Sequence, residues 1–202
     1  MKKLPIDFYD RKDVVQIAKE LIGKILVTNF NGVHTSGRIV ETEAYTGITD
    51  KASHSFGGKR TARNEHMYAQ AGIAYVYICY GIHQMFNVVT NKHGIPDAVL
   101  IRAAEPLQGI DAMLERTGKK TIDHAITRGP GNVAKAFGMN KSHSGESLTG
   151  EVIFIADDDK AIEPGDIGIS KRIGVDYAGA DAFLPYRFFL KGNKYVSGRP
   201  NR

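Results

Sequence analysis

The stretch Arg-Ile-Val-Glu-Thr-Glu-Ala-Tyr at 38–45 reads as a β-strand that carries two carboxylates and ends in an aromatic ring. Side chains alternate along a strand, so Ile39, Glu41, Glu43 and Tyr45 are expected on one face. Downstream come the polar turn Ser53-His54-Ser55 and a basic, glycine-bearing loop from Gly57 to Arg63. A carboxylate beside an aromatic, followed by a histidine and clustered cations, suits a flat cationic or electron-poor ring attached to a polyanion.

Before this strand, Asp10 is placed to cap a helix running to about Ile22, with Asp13 in the reciprocal capping position. Val14, Ile17, Ala18, Leu21 and Ile22 fall on one helical face, and Gly23 ends it. A strand from Ile25 to Asn29 meets the turn signal Asn31-Gly32 and returns through Tyr45. Residues 46–73 are rich in Gly, Ser, Asn and charge, and a loop of that length in a compact domain is usually functional. Tyr75 to Tyr80 is β-rich and stops at Gly81. Strand character resumes from Met85 to Thr90, which predicts a hairpin with its tip near Tyr80 to His83.

Further strands are predicted at 98–102, 152–155, around 172–175 and at 186–190, with helices over 107–116 and after Gly129-Pro130-Gly131. No repeat, low-complexity tract or linker divides the chain. The expectation is one mixed α+β domain over residues 1–202, built on a curved, mainly antiparallel sheet with flanking helices.

The 202 residues are enough for a real core, and 42% hydrophobic with 24% charged residues is ordinary for a soluble protein. No apolar run approaches the roughly 20 residues needed to span a bilayer, and no signal peptide is evident, so an intracellular protein is expected. The lone Cys79 excludes an intrachain disulfide and a cysteine-clustered metal site. The seven histidines are scattered, so no metal is expected. The net charge of +5 and a pI of about 9.2 favour anionic partners, with Lys59, Arg60 and Arg63 the more telling placement. Phosphate-binding, dinucleotide and nucleophile-elbow motifs are missing from the sequence. What remains is metal-free, cofactor-free chemistry or plain binding.

Each candidate residue has an ordinary alternative. Glu43 suits a general base if partly buried, or a solvated or arginine-paired strand carboxylate; Glu41 has the same geometry. Tyr75 and Tyr77 read as strand aromatics or a stacking platform. Tyr80, just before Gly81 at a hairpin tip, is either a wedge for base steps or a ring packed under the hairpin. His54 suits ring stacking or a plain surface position. Asn87, between Phe86 and Val88, needs a backbone or ligand partner for its amide. Arg102 suits an ion pair with Glu43 or Glu105, or substrate contact. The Gly129-Pro130-Gly131-Asn132 turn either offers amides to a phosphate or merely starts a helix.

Taken together, the segments resemble the alkyladenine (3-methyladenine) DNA glycosylase family. The matching stretches are 38–45, Ala-Ser-His-Ser at 52–55, Thr-x-Arg-Asn at 61–64, Tyr-Val-Tyr-Ile-Cys-Tyr-Gly at 75–81 and Asn-Val-Val at 87–89. Leu-Ile-Arg-Ala-x-Glu-Pro at 100–106, Gly-Pro-Gly at 129–131, Arg-Ile-Gly-Val at 172–175 and Pro-Tyr-Arg-Phe at 185–188 complete the set, in order along nearly the whole chain.

The resemblance implies a base-excision repair enzyme that flips a damaged purine from duplex DNA and hydrolyses its bond to deoxyribose without strand cleavage. It makes Glu43 the residue that deprotonates water, with Arg102 and the Ile173 carbonyl holding that water. It places the flipped base between Tyr45 and the rings of His54 and Tyr77, and gives Asn87 the discrimination against an intact guanine. Tyr80, on a hairpin protruding toward DNA, fills the vacated gap, while Lys59, Thr61, Arg63 and Ile82 lie where backbone contacts are expected. His83 stands where relatives often carry another large side chain, which alters the shape of the wedge. No cofactor is implied. The expected partner is double-stranded DNA bearing damaged purines, met by a monomer in the cytoplasm, on the nucleoid in a bacterial cell.

Two other readings fit the residues less completely: a noncatalytic nucleic-acid-binding module with an aromatic base pocket, and a hydrolase of free nucleosides. Phosphate neutralisation by the basic loop releases counterions, so duplex affinity is expected to fall steeply between about 50 and 200 mM salt. Binding titrations across that range check this, and a flat profile would remove the loop from the DNA contact.

Overall fold

The strand β3, Val33–Tyr45, is the one around which the sheet is assembled. The computed structural model describes residues 1–198, so positions 199–202 of the expected 1–202 span lie outside the described residues. β2 (Ile25–Phe30) joins β3 through Asn31 and Gly32, whose φ values of 52° and 79° suit a two-residue hairpin turn. β6 (Asp97–Gln108) pairs along the other edge of β3. Beyond β6 lie β5 (His83–Thr90) and β4 (Ala74–Cys79); beyond β2 lie β7 (Ile153–Asp157) and β1 (Lys2–Lys3). β9 (Arg187–Leu190) pairs with β8 (Ile167–Ser170) and with β3 at Glu41–Glu43. All these ladders are antiparallel.

A bulge in β3 bends this arrangement. Ile39 is paired with Ala104 and Glu41 with Ala103, so Val40 is the extra residue. At the same point β2 leaves β3 and β9 takes over its edge. The expected shared face of Ile39 with Glu41, Glu43 and Tyr45 is therefore corrected. Ile39 and Ala44 enter the main core, and Thr42 bonds to the Ala18 carbonyl of the helix packed there. Glu41, Glu43 and Tyr45 turn to the opposite side.

The same division runs across the sheet. Ala74, Val76, Phe86, Val88, Val99 and Ile101 join one apolar cluster with α2 (Val14–Glu20), α3 (Ile110–Thr117) and α4 (Pro130–Ala136). The intervening residues Tyr75, Tyr77, Asn87, Leu100 and Arg102 border a cavity on the other side, together with parts of the 46–73 loop and the segment after β8. The fold is α+β, with helices on one face and the cavity on the other.

Four local expectations change. The α2 cap is Asp13, which accepts from the Gln16 amide at 2.9 Å, while Asp10 closes a separate short helix α1 (Ile6–Tyr9). The predicted helix over 107–116 starts later, because residues 105–108 stay paired with Ser36–Arg38 of β3. The hairpin's second strand begins at His83 rather than Met85, paired with Cys79. No strand forms at 172–175; Gly174 turns the chain at φ 76°, and β8 at Ile167–Ser170 takes the pairing with β9 instead.

The bulged strand leaves no room at Gly37. A Cβ there would lie 2.8 Å from Phe137 and 2.9 Å from the Glu105 carbonyl oxygen. Gly37→Ala is expected to cost about 1–3 kcal/mol of stability through overpacking, measurable by chemical denaturation.

Candidate active site

Strand alternation delivers rings and polar groups to one cavity of about 390 Å³, a volume within the roughly 300–1,000 Å³ typical of small-molecule sites. Tyr45 comes from the end of β3, Tyr77 from β4, Asn87 from β5 and Arg102 from β6. His54 enters from the long loop and Ile173 from the segment after β8. Arg63 and Tyr80 border it from the basic loop and the hairpin tip. Lys59, Thr61 and Ile82 do not line it; all three are exposed.

Glu43 lies directly behind this cavity and has no solvent exposure. Its Oε2 accepts from the Tyr45 hydroxyl at 2.9 Å and lies 3.4 Å from Arg102 Nη1. Its Oε1 accepts from the Ile173 backbone N–H at 2.8 Å. The contact made by Ile173 is thus through its amide. Burial pushes the Glu43 carboxyl above its ordinary value, opposed by Arg102 and the two hydrogen bonds.

Glu41 is equally buried but differently committed. Oε1 takes Arg102 Nε at 3.0 Å, Arg187 Nε at 2.7 Å and the Ser197 hydroxyl at 2.9 Å; Oε2 takes the Ser197 amide at 2.7 Å. That set occupies most of the acceptor positions of Glu41. Geometry separates two carboxylates that the sequence leaves equivalent. Arg102 bridges them, and Glu105 instead accepts from Asn193.

The rings form a graded set. Tyr75 and Tyr77 stack with centroids 5.3 Å apart, and His54 stands edge-on to Tyr77 at 4.5 Å. His54 Nδ1 and the Tyr75 hydroxyl share a hydrogen bond of 3.0 Å. Burial, with Arg63 and Lys59 nearby, pulls the His54 pKa down to about 4, so the ring is neutral at neutral pH. Asn87 donates to the backbone carbonyls of Tyr75 at 3.2 Å and Met85 at 3.3 Å, the backbone partner expected of a buried amide.

The outer residues prepare an exposed rim. Tyr80 is 87% exposed and Ile82 74%, both at the β4–β5 tip. Tyr80 and Gly81 take positive φ, so the ring is presented by a tight turn rather than packed beneath it. His83 leans on Gly131 at the start of α4. Asn64 braces the basic loop, with its Nδ2 reaching the carbonyls of His54 and Lys59, while Thr61 bonds its Oδ1. Arg60 is taken by Glu65. Arg63 crosses to the Ile78 carbonyl at 3.1 Å and lies over Tyr77, which ties the loop to the hairpin.

The profile of the methylpurine-DNA glycosylase family matches residues 7–194. The chain belongs to that family. Among curated relatives, a protein of Desulfitobacterium hafniense (strain Y51) named "Putative 3-methyladenine DNA glycosylase" is 46% identical, over 98% of this chain and 99% of its own. Proteins of the same name from Clostridium acetobutylicum and Chlamydia felis are 44% and 46% identical, over 96% and 95% of this chain and 97% of their own in each case. A methylpurine-DNA glycosylase is a hydrolase of N-glycosyl bonds whose substrate is DNA, and the cavity described above is lined by aromatic rings and adjoins a buried glutamate.

Asp50, Arg172 and Tyr177, which support this cavity, are not picked out by a reading of the residues alone. Asp50 and Arg172 form an ion pair buried on both sides. Arg172 also donates to the carbonyls of Ala44 and Asp181 and lies over the Tyr45 ring, so the chain is anchored immediately before Ile173. Tyr75 serves His54, and Tyr177 borders the cavity mouth. Asp50 has no local pattern to mark it, and Arg172 sits in a stretch that resembles a strand. Among the described residues, no cluster of three or more histidine, cysteine, aspartate or glutamate side chains is placed to hold a metal ion, and no helix is long and apolar enough to cross a membrane.

His54 links the site to stability. Its folded pKa of about 4 lies below the ordinary 6.5, so the unfolded chain binds the proton first as pH falls. The stability it contributes is complete above pH 6.5 and is lost as pH falls toward 4, by up to roughly 3 kcal/mol. Denaturation of wild type and His54→Gln across this range is expected to show a shallower acid loss in the variant.

Proposed function

We propose that this glycosylase flips alkylated or deaminated purines, of the 3-methyladenine, 7-methylguanine and hypoxanthine class, out of duplex DNA. A water activated by Glu43 then attacks the sugar carbon directly, the N-glycosidic bond breaks, and an abasic site remains. One observation carries this reading. The three groups that hold Glu43, namely the Tyr45 hydroxyl, the Arg102 guanidinium and the Ile173 amide, belong to residues that all border the cavity.

The chemistry suits the parts. Glycosidic cleavage develops positive charge on the sugar, so a nearby carboxylate both activates water and stabilises that charge. Burial makes Glu43 a stronger base, and Arg102 favours its ionised form. Each carboxylate oxygen has more than one acceptor site, so two hydrogen bonds leave capacity for a water proton. A purine alkylated at N3 or N7 is a cation and leaves as a neutral base, whereas a neutral lesion such as hypoxanthine takes up a proton as it leaves. Tyrosine rings attract the cation, and a neutral His54 does not repel it.

Flipping costs a few kcal/mol and least for a damaged or mispaired base, which supplies part of the selectivity. In this reading Tyr80 enters the vacated gap with Ile82 beside it, and Asn87 disfavours the exocyclic amino group of guanine. Lys59, Thr61 and Arg63 meet the phosphate backbone. Direct attack by water needs no covalent lysine adduct, so the enzyme is monofunctional. It acts as one domain over residues 1–202, as a monomer in the cytoplasm, on the nucleoid where the cell is bacterial.

Glu43→Gln is expected to cut base release from methylated duplex by about 100- to 10,000-fold, the usual contribution of a general base, while lesion-duplex affinity survives. Base release assayed beside duplex binding checks this. Turnover within a fewfold of wild type would show that another group activates the water.

A further inference from the structure

The segment Asp176–Phe183 packs in reverse of an ordinary surface segment. Two of its three alanines go inward: Ala178 and Ala182 are buried with Ala52 and Val175, in the cluster that also backs Tyr45. Its rings go outward: Tyr177 is 71% exposed and Phe183 73%. Two large rings exposed within eight residues are an apolar feature of the kind found at binding faces.

This segment is not loose. The Tyr177 hydroxyl donates to the Ala52 carbonyl at 3.1 Å, which fixes one end of an otherwise exposed ring. Asp181 accepts from the Lys51 amide at 2.9 Å through its side chain and from Arg172 at 3.1 Å through its carbonyl. The Lys171 ammonium stands 5.4 Å from the centre of the Phe183 ring. Tyr177 and Tyr80 border the same cavity from two different segments, so a nucleotide entering it passes between them.

We propose that Tyr177 and Phe183, with Lys171, form a second DNA-contact strip that grips the strand carrying the flipped nucleotide, with Tyr177 at the cavity and Phe183 beside the lysine. Rings at the rim stack on the bases or sugars exposed where the duplex opens, and the lysine meets the adjoining phosphate, the combination that serves single-stranded nucleic acid elsewhere. The strip rests on the flipped-base reading for the strand it touches. It is independent of which group activates the water.

The test uses full-length protein, a lesion duplex, the same sequence as single strand, and Tyr177→Ser, Phe183→Ser, the double variant, Tyr177→Phe and Lys171→Gln. Single-ring removal is expected to weaken lesion-duplex and single-strand binding by about tenfold, the scale of base–aromatic stacking. Tyr177→Phe keeps most of that affinity, melting temperatures stay near wild type, and Lys171→Gln lowers the salt dependence. Unchanged affinity in the double variant, or a loss matched by a fall in melting temperature, would overturn the strip. A wild type that binds lesion DNA yet releases no base would sink the catalytic reading while the affinity arms still judged the strip.

Discussion

Two glutamates and two arginines share the solvent-excluded space on one side of a bulged strand, and the site depends on how they balance. Glu41, Glu43, Arg102 and Arg187 are all buried, and removing such charges from water costs several kcal/mol each unless they are paired and fully hydrogen-bonded. Glu41 meets that condition completely, through two guanidinium groups and both donors of Ser197. Glu43 meets it only in part, through one amide, one hydroxyl and a longer approach by Arg102. The saturated carboxylate fixes the arginine. The less saturated one is left basic, next to the cavity.

The backbone irregularity explains why both carboxylates point away from the helices. A regular strand carrying Ile39 on the core side of β3 would return to that side at each second residue, and would drive Glu41 and Glu43 into the helices. The extra residue Val40 reverses the sense once, so that Ile39 stays in the core while the acidic pair turns away from it. The same bulge releases β2 and admits β9, which brings Arg187 opposite Glu43 in the ladder and beside Glu41 through its side chain. Strand bending, partner exchange and charge placement coincide where the β3–β6 ladder loses its regular register, at Val40 and again at Arg102.

Much of the fold was legible because its signals are local. Asn31-Gly32 marks a hairpin, Gly81 marks the tip that lifts Tyr80, and apolar alternation marks the strands on either side. The bulge at Val40 was not legible, since nothing in Arg-Ile-Val-Glu-Thr-Glu distinguishes a bulged strand from a regular one. The stretch 172–175 looked like a strand because Ile and Val flank a glycine, yet its conformation is set by Arg172 reaching Asp50 far away in the chain. Of the site, the residues themselves left Glu41 and Glu43 interchangeable, since the groups that separate them, Arg187 and Ser197, lie in the last part of the described chain. Likeness to a known family selected Glu43, Tyr45, His54, Tyr77, Asn87, Arg102 and Ile173, and apart from Glu43, which sits just behind it, the structure brings them to the rim of one cavity.

Ser197 gives this design a temporal consequence. A ribosome makes Glu41 early, and the chain folds from its beginning as it emerges. The hydroxyl and amide that complete the Glu41 shell come more than a hundred residues later. Until they arrive, Glu41 lacks two of the donors that offset its burial. A chain stopped short of Ser197 would leave the buried Glu41 carboxylate without two of its four hydrogen bonds.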